Sequence, residues 1–234
     1  MELYLENEYA KEFEARVLSV KDGKYVVLDK TAFYPRGGGQ PCDTGVLEKD
    51  GVEYKVLFVG KFDGVVSHEV DRGGLKENDV VKGRINWSDR YMHMRYHTAS
   101  HILSSLLYGE LGAKITGNQI YSDKLRVDFN LEDFDKDLLK SYIEKTNEQI
   151  NRGLEVKKYE LDRSEAGKDE SLVKLAGALP PSVGKLRIVE IGDVDKQADG
   201  GTHVKNTREI GELEFLKAEN KGKNNRRLYV KLKG

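Results

Sequence analysis

The chain has 234 residues, of which 38% are hydrophobic and 34% are charged, and its formal net charge at pH 7 is −1. This composition excludes a disordered chain, and the length allows one large or two small domains. Because the net charge is near zero, a nucleic-acid partner must be met by a local basic patch. The apolar runs are broken by polar residues, so no transmembrane helix is predicted.

The single cysteine, Cys42, excludes an internal disulfide and is typical of a reducing compartment. The first residues of the sequence lack the basic start and the apolar segment of a signal peptide. We therefore expect a cytoplasmic protein.

Residues 1–88 are predicted to form a small β-barrel domain. Asp22-Gly23 and Asp50-Gly51 are typical of the tight turns that close β-hairpins. About six short strands without a helical stretch favour a closed barrel. The predicted strands cover residues 13–20, 24–29, 46–47, 52–59, 64–70 and 80–86.

The barrel domain contains a glycine-rich segment between two prolines. It consists of Gly37, Gly38, Gly39 and Gln40. Glycines permit a backbone to approach a ligand closely, although three glycines can also be an ordinary loop. We expect this segment to fold over the metal site predicted below and to help bind the substrate.

Residues 89–234 are predicted to form an α+β domain with a mostly antiparallel sheet. Apolar residues recur at helical spacing over residues 90–111 and 133–151, which predicts two amphipathic helices. A short helix is predicted near Glu165. The predicted strands of this domain cover residues 119–121, 125–129, 155–161, 186–191, 213–217 and 227–232.

Two short motifs in this domain pair a histidine with a second candidate metal ligand. His97 and His101 lie four residues apart on the first helix, so their side chains share one face. Asp199 and His203 flank two glycines, which we expect to let the backbone bend until both side chains converge. Three imidazoles and one carboxylate are a plausible ligand set for one zinc ion per chain. Either pair alone could be structural.

Two neighbouring residues limit the chemistry of this site. Thr98 occupies the position at which zinc peptidases carry the glutamate that acts as general base. Peptidase activity is therefore disfavoured, whereas metal-assisted hydrolysis of an ester is possible because an alkoxide leaves more readily than an amine. His93 lies one turn before His97 and could either support a metal ligand or be a surface histidine; we favour the surface interpretation.

A cluster of cations near the C-terminus is a candidate nucleic-acid contact. It comprises Lys221, Lys223, Arg226 and Arg227, interleaved with glycine and asparagine. Such a cluster can bind phosphates, and it can equally be the solvated turn of a hairpin.

Together these motifs resemble the editing domain of alanyl-tRNA synthetase. With the barrel and its Arg-Gly-Gly-Gly-Gln-Pro segment, the whole chain resembles the free-standing alanyl-tRNA editing proteins called AlaX, in their medium-length form. The resemblance implies a trans-editing hydrolase that removes serine, and in some members glycine, from mischarged tRNA(Ala). It implies this tRNA as the partner, with neither DNA nor a membrane.

The resemblance also implies roles for individual residues. His97, His101, residue 199 and His203 would bind zinc, although the family commonly has cysteine where this chain has Asp199. Asp199 is then either the fourth ligand or a group that orients the histidines. Thr116 would hydrogen-bond the serine hydroxyl and so discriminate against alanine. The alternative function is a metal-stabilised tRNA-binding module without hydrolytic activity.

Overall fold

The computed structural model describes residues 1–166 and 184–233. The chain separates into two compact units, Met1–His93 and Met94–Gly234. The boundary between them falls within one continuous helix, Trp87–Leu111. No helix among the described residues is both long and apolar enough to cross a membrane.

The first unit contains a closed barrel of six antiparallel strands, which confirms the predicted barrel. A one-turn helix, α1 (Leu3–Glu6), precedes it. The strands are β1 (Glu12–Lys21), β2 (Tyr25–Leu28), β3 (Gly45–Lys49), β4 (Val52–Phe62), β5 (Val65–Val70) and β6 (Val80–Ile85). Their order around the barrel is β1-β2-β5-β4-β3-β6.

Three hairpins of the barrel are closed by the same kind of turn. Asp22, Asp50 and Asp63 have φ values of 52°, 50° and 49°, and the glycine after each also has a positive φ. Positive φ at both central residues defines the type I′ turn, whose twist matches that of the paired strands. The two Asp-Gly signals read from the sequence are confirmed.

His68 of β5 is a fully buried polar residue in the barrel. Its Nδ1 donates to the carbonyl of Val26 at 2.9 Å, and its Nε2 accepts from the Thr31 hydroxyl at 2.8 Å. Both ring nitrogens are thus satisfied in the neutral form. Burial lowers the pKa of His68 to about 4, because a charged ring would lose its hydration.

The second unit combines helices with two antiparallel sheets, which confirms the α+β prediction. The helices are α2 (Trp87–Leu111), α3 (Lys136–Asn151) and α4 (Arg163–Ala166). The strands are β7 (Ile115–Ile120), β8 (Leu125–Phe129), β9 (Val156–Asp162), β10 (Lys185–Ile191), β11 (Asp195–Ala198), β12 (Leu213–Asn220) and β13 (Arg226–Leu232). The strand orders are β12-β13-β8-β7 and β11-β10-β9.

The side chains of α3 and β8 explain how this unit forms its core. The Asp135 carboxylate caps α3 by accepting from two backbone amides of the first turn. The helix then buries one apolar stripe, which includes Leu139 and Ile143. Strand β8 buries alternate residues, Leu125 and Val127 among them, on one side of its sheet.

The interpretation of His93 as a surface residue is wrong. Its side chain is buried, and its Nδ1 has no hydrogen-bond partner among the described residues. The reason is that α2 is buried around most of its circumference, with Arg90, Met94 and Tyr96 also inaccessible. A polar residue on such a helix does not mark its solvent side.

Candidate metal centre

Four candidate ligands converge in the second unit. His97 and His101 come from successive turns of α2, and Asp199 directly follows β11, four residues before His203. One ligand atom from each residue lies within 4.8 Å of the other three. The Asp199 carboxylate lies 3.5 Å from His97 Nε2, 3.0 Å from His203 Nε2 and 3.9 Å from His101 Nε2.

This geometry fits one small divalent ion. Ligands about 2.0–2.1 Å from a tetrahedral metal lie roughly 3.3 Å from one another. The distances from Asp199 to the three imidazoles bracket this value, and all three rings present Nε2 to the same carboxylate. The cluster can therefore hold a metal ion.

Thr98 fixes the orientation of His203. Its hydroxyl donates to the carbonyl of Met94 at 2.9 Å, so the oxygen accepts from the amide of Val204 at 3.2 Å and from His203 Nδ1 at 3.2 Å. The proton of His203 is therefore placed on Nδ1. Its Nε2 keeps a lone pair for a metal.

Asp195 fixes the orientation of His101. Its carboxylate lies 3.0 Å from His101 Nδ1 and also accepts from the side-chain amide of Gln197 at 2.9 Å. A carboxylate behind a ligand histidine fixes the ring and raises its basicity. The sequence analysis did not identify Asp195 or Gln197. They alternate on one side of β11, just before the second motif.

The chain bends at Gly201, and the side chains of Asp199 and His203 converge as predicted. Neither Gly200 nor Gly201 has a positive φ, so this bend does not require the left-handed region. Gly201 also provides space, because a Cβ there would lie 2.1 Å from Cε1 of His97. A Cβ at Gly200 would meet nothing within 4 Å.

The loop that carries Asp199 is held by backbone contacts. Arg187 of β10 donates to the carbonyls of Asp199 and Gly201, each at 3.0 Å. The amide of Gly201 donates to Oδ2 of Asp199 at 2.5 Å. These bonds hold the carboxylate toward the histidines.

The charges of the cluster depend strongly on one another. Burial opposes ionisation of Asp199, but His97, His101 and His203 hold its pKa well below the ordinary value. Burial would also lower the pKa of His101, yet its hydrogen bond to Asp195 and the negative charge of Asp199 raise it to about 9. Burial and the neighbouring His97 lower the pKa of His203. A neutral imidazole and a carboxylate are the forms that bind metals.

Comparison with known proteins identifies the family. A model of the "Threonyl and Alanyl tRNA synthetase second additional domain" matches residues 186–229, and one of "tRNA synthetases class II (A)" matches residues 5–89. The alanyl-tRNA editing protein AlaX-M of Methanosarcina barkeri is 49% identical over 98% of each chain. The chain belongs to the alanyl-tRNA editing proteins of the AlaX-M type.

Two further relatives extend this finding. AlaX-M of Saccharolobus solfataricus is 49% identical and is matched over 99% of this chain and 98% of its own. The alanine–tRNA ligase of Pyrococcus furiosus is 40% identical over 93% of this chain, which corresponds to 24% of the ligase. The predicted family is confirmed, and with it the enzyme class, an aminoacyl-tRNA hydrolase.

The glycine-rich segment of this family member is a tight turn in the first unit. The amide of Gly37 donates to the carbonyl of Gln40 at 3.2 Å, and the amide of Gln40 donates back at 2.9 Å. Gly38 and Gly39 have φ values of 57° and 82°, like the Asp-Gly pairs of the barrel hairpins. The approach of this turn to the metal centre stays a prediction.

Thr116 is exposed on β7, the edge strand of the four-stranded sheet. The pairing of β7 with β8 shifts between Ile115 and Gly117, so Thr116 lies at a β-bulge. Bulges redirect side chains and are frequent next to active sites. Its contact with a substrate stays a prediction.

The four predicted RNA-contacting cations have different surroundings. Arg226 is buried and donates to the carbonyls of Glu132, Asp133 and Gly222. Arg227 forms a bidentate pair with Asp128, at 2.7 and 2.9 Å. Lys221 and Lys223 are exposed in the turn between β12 and β13. Lys221 lies 3.0 Å from Glu219, so it would exchange this ion pair for a phosphate, whereas no such pair involves Lys223 among the described residues.

Proposed function

We propose that the protein is a trans-editing hydrolase that deacylates Ser-tRNA(Ala), with Gly-tRNA(Ala) as a second candidate substrate and the cytoplasm as its location. The observation that carries this proposal is the cluster of three imidazoles and one carboxylate in a chain of the editing family. The contacts of Thr98 and Asp195 support it, because they pre-orient two of the histidines as ligands.

The cluster is proposed to hold one zinc ion through His97, His101, Asp199 and His203. When bound, zinc supplies a Lewis acid that favours attack on the ester carbonyl. Asp199 replaces a thiolate with a carboxylate, which zinc also accepts as a ligand. Oδ2 accepts from the Gly201 amide and lies 3.0 Å from His203 Nε2, while Oδ1 faces His97 and His101. The contact of this carboxylate with all three imidazoles supports Asp199 as the fourth ligand.

Substrate choice is assigned to Thr116 and to the glycine-rich turn. The hydroxyl of Thr116 would pair with the hydroxyl of serine, and alanine would leave it without that partner. Gly37, Gly38, Gly39 and Gln40 form the turn that we propose to contact the ester or the terminal adenosine. Lys221 and Lys223 would contact tRNA phosphates, with Arg226 and Arg227 holding the strands beside them.

Deacylation assays test the proposal directly. Purified protein is incubated with Ser-tRNA(Ala), Gly-tRNA(Ala) and Ala-tRNA(Ala), and its zinc content is measured without added metal. The parent should release serine and spare alanine, whereas His97→Ala and His203→Ala should lose both zinc and activity. A protein that binds tRNA(Ala) but releases no amino acid would be the alternative, a metal-stabilised binding module. Variants that retain the parent's zinc content would show that the ligands are misassigned.

A further inference from the structure

One arginine on the four-stranded sheet has no carboxylate of its own. Arg126 of β8 has a side chain that is 24% exposed, and its Nε is buried without a hydrogen-bond partner among the described residues, so the exposed part of the side chain lies elsewhere on it. Its nearest carboxylate oxygen, Oδ2 of Asp128, is 3.8 Å from that nitrogen. This distance is too long for a hydrogen bond.

Asp128 is already committed to a different arginine. Both of its oxygens accept from Arg227, at 2.7 and 2.9 Å, and this contact raises the pKa of Arg227. A bidentate pair of this kind uses the charge of the carboxylate. Two guanidinium groups therefore share one carboxylate, and Arg126 is left with the excess positive charge.

The other cations on this face of the sheet are paired. Lys217 lies 2.6 Å from Glu219, and Lys231 lies 3.2 Å from Glu214. Glu219 also lies 3.0 Å from Lys221, so it serves two lysines, but each of them lies within hydrogen-bonding distance of it. Arg126 is distinguished from these described neighbours because its guanidinium lies no closer than 3.8 Å to its carboxylate partner.

The surroundings of Arg126 combine aromatic rings with cations. Its neighbour across the strand pair is Tyr229, and Lys217 lies 4.6 Å from the centre of that ring. Tyr121 follows β7 on the same sheet, is 37% exposed and has Lys124 5.3 Å from its ring centre. Proteins that bind single-stranded nucleic acids combine cations for the phosphates with aromatic rings for the bases.

We propose that Arg126 binds a backbone phosphate in the unpaired 3′ end of the tRNA, with Tyr229 as the neighbouring aromatic surface. This inference rests on the proposed function, in which that end carries the ester. The fork of a guanidinium matches two oxygens of a phosphate. On the paired strand, Gln119 lies opposite Arg126, about 10 Å along β7 from Thr116. Arg126 would then bind the RNA backbone while Thr116 contacts the side chain of the attached amino acid.

The experiment measures binding of uncharged tRNA(Ala) by Arg126→Gln over a range of salt concentrations. We expect roughly tenfold weaker binding and a salt slope reduced by about 0.7, the value for one phosphate contact with a single strand. Arg126→Lys should restore the slope but only part of the affinity, because the charge remains and the fork is lost. Arg84→Gln is the matched control, since Arg84 is an exposed strand arginine that pairs with Glu53 at 2.7 Å.

A second measurement uses the unaltered protein, in case Arg126→Gln fails to fold. Phenylglyoxal modifies accessible arginines, and mass spectrometry reports the rate at Arg126 with and without tRNA(Ala). We expect tRNA to slow modification of Arg126 but not of Arg84. The inference would be overturned if a folded Arg126→Gln variant bound tRNA(Ala) with the affinity and salt slope of the parent. It would also be overturned if tRNA(Ala) did not slow modification of Arg126. Either result would leave the hydrolase proposal intact. Conversely, the Arg126→Gln variant could bind tRNA(Ala) more weakly while the parent releases no serine. That outcome would overturn only the hydrolase proposal.

Discussion

Gly201 lies so close to the ring of His97 that any side chain there must displace this candidate metal ligand. We expect Gly201→Ala to weaken zinc binding by about 10- to 100-fold, the range seen when groups supporting a ligand are altered. Gly200→Ala is the matched control, because its methyl group meets nothing within 4 Å and should leave zinc affinity unchanged. Competition with a chromophoric chelator measures both. Equal affinities for Gly201→Ala and the parent would contradict this role.

Thr116 lies at the bulge of β7, where its exposed side chain can be altered without disturbing the core. Thr116→Val removes the hydroxyl while keeping a similar volume. Loss of one hydrogen bond to the substrate should lower the rate on Ser-tRNA(Ala) by about ten- to a hundredfold. The slow rate on Ala-tRNA(Ala) is the internal reference. An unchanged ratio of the two rates would show that Thr116 does not contact the serine hydroxyl.

Spacing in the sequence was sufficient to identify the four candidate ligands. His97 and His101 follow from helical periodicity, and Asp199 and His203 from a short motif. The residues that orient them could not be predicted in the same way. Thr98 reaches His203 and Asp195 reaches His101 across about a hundred residues of chain, and only the fold creates those contacts. Local patterns contain no information on such pairs.

The glycine-rich turn shares its conformation with the barrel hairpins, which suggests a substitution that preserves it. Gly38 has a φ of 57°, where valine would be strained, but asparagine tolerates this region and is common in type I′ turns. A Cβ at Gly38 meets nothing within 4 Å. If the turn contacts the substrate, Gly38→Asn should lower deacylation by about 100-fold with an unchanged melting temperature.

The control for this turn is Asp50→Asn. It occupies the equivalent first central position of the β3–β4 hairpin, with a φ of 50°. Neither kinetics nor stability should change in it. Parental kinetics of Gly38→Asn on serine and alanine esters would make the glycine-rich segment an ordinary surface turn.

The β12–β13 hairpin contains two kinds of cation. Arg226 and Arg227 bond to other residues of the protein, whereas Lys221 and Lys223 are exposed in the turn. Lys221→Gln with Lys223→Gln should weaken tRNA binding and lower the salt slope by about 0.7–0.9 for each lost contact. The fold should persist, because the buried contacts of Arg226 remain. Filter binding at several salt concentrations provides the affinities. If affinity and slope match the parent, phosphate contact lies elsewhere on the chain.

Elements with strong periodicity were predicted well, as were the four-residue elements β2 and α4, whereas β11 and α1 were not predicted. The prediction of β8 agrees with the structure at both ends, and α2 begins three residues before its predicted start. Strand β7 begins four residues early, because the bulge at Thr116 interrupts its alternation. Strand β11 and helix α1 have four residues each, too few for a periodic pattern.

Buried His68 makes the stability of the whole molecule sensitive to acid. Its pKa is about 4 in the folded chain and near 6.5 when unfolded, so the unfolded state binds more protons between these values. Stability should fall as pH drops from 6.5 toward 4, by about 1.4 kcal/mol per pH unit from this residue. Urea unfolding at pH 7 and pH 5 measures the loss. His68→Gln should be less stable than the parent at pH 7, but its free energy of unfolding should decrease less between pH 7 and pH 5. If the decrease equalled that of the parent, groups other than His68 would cause it.

With Asp199, the candidate metal centre contains no sulphur, since its ligands would be three histidines and an aspartate. Peroxide can oxidise a cysteine ligand, and the candidate centre offers it none. The one thiol in this chain, Cys42, lies in the first unit, and burial raises its pKa, which keeps it in the less reactive protonated form. We therefore expect peroxide treatment to leave the zinc content and the proposed deacylation of this protein unchanged.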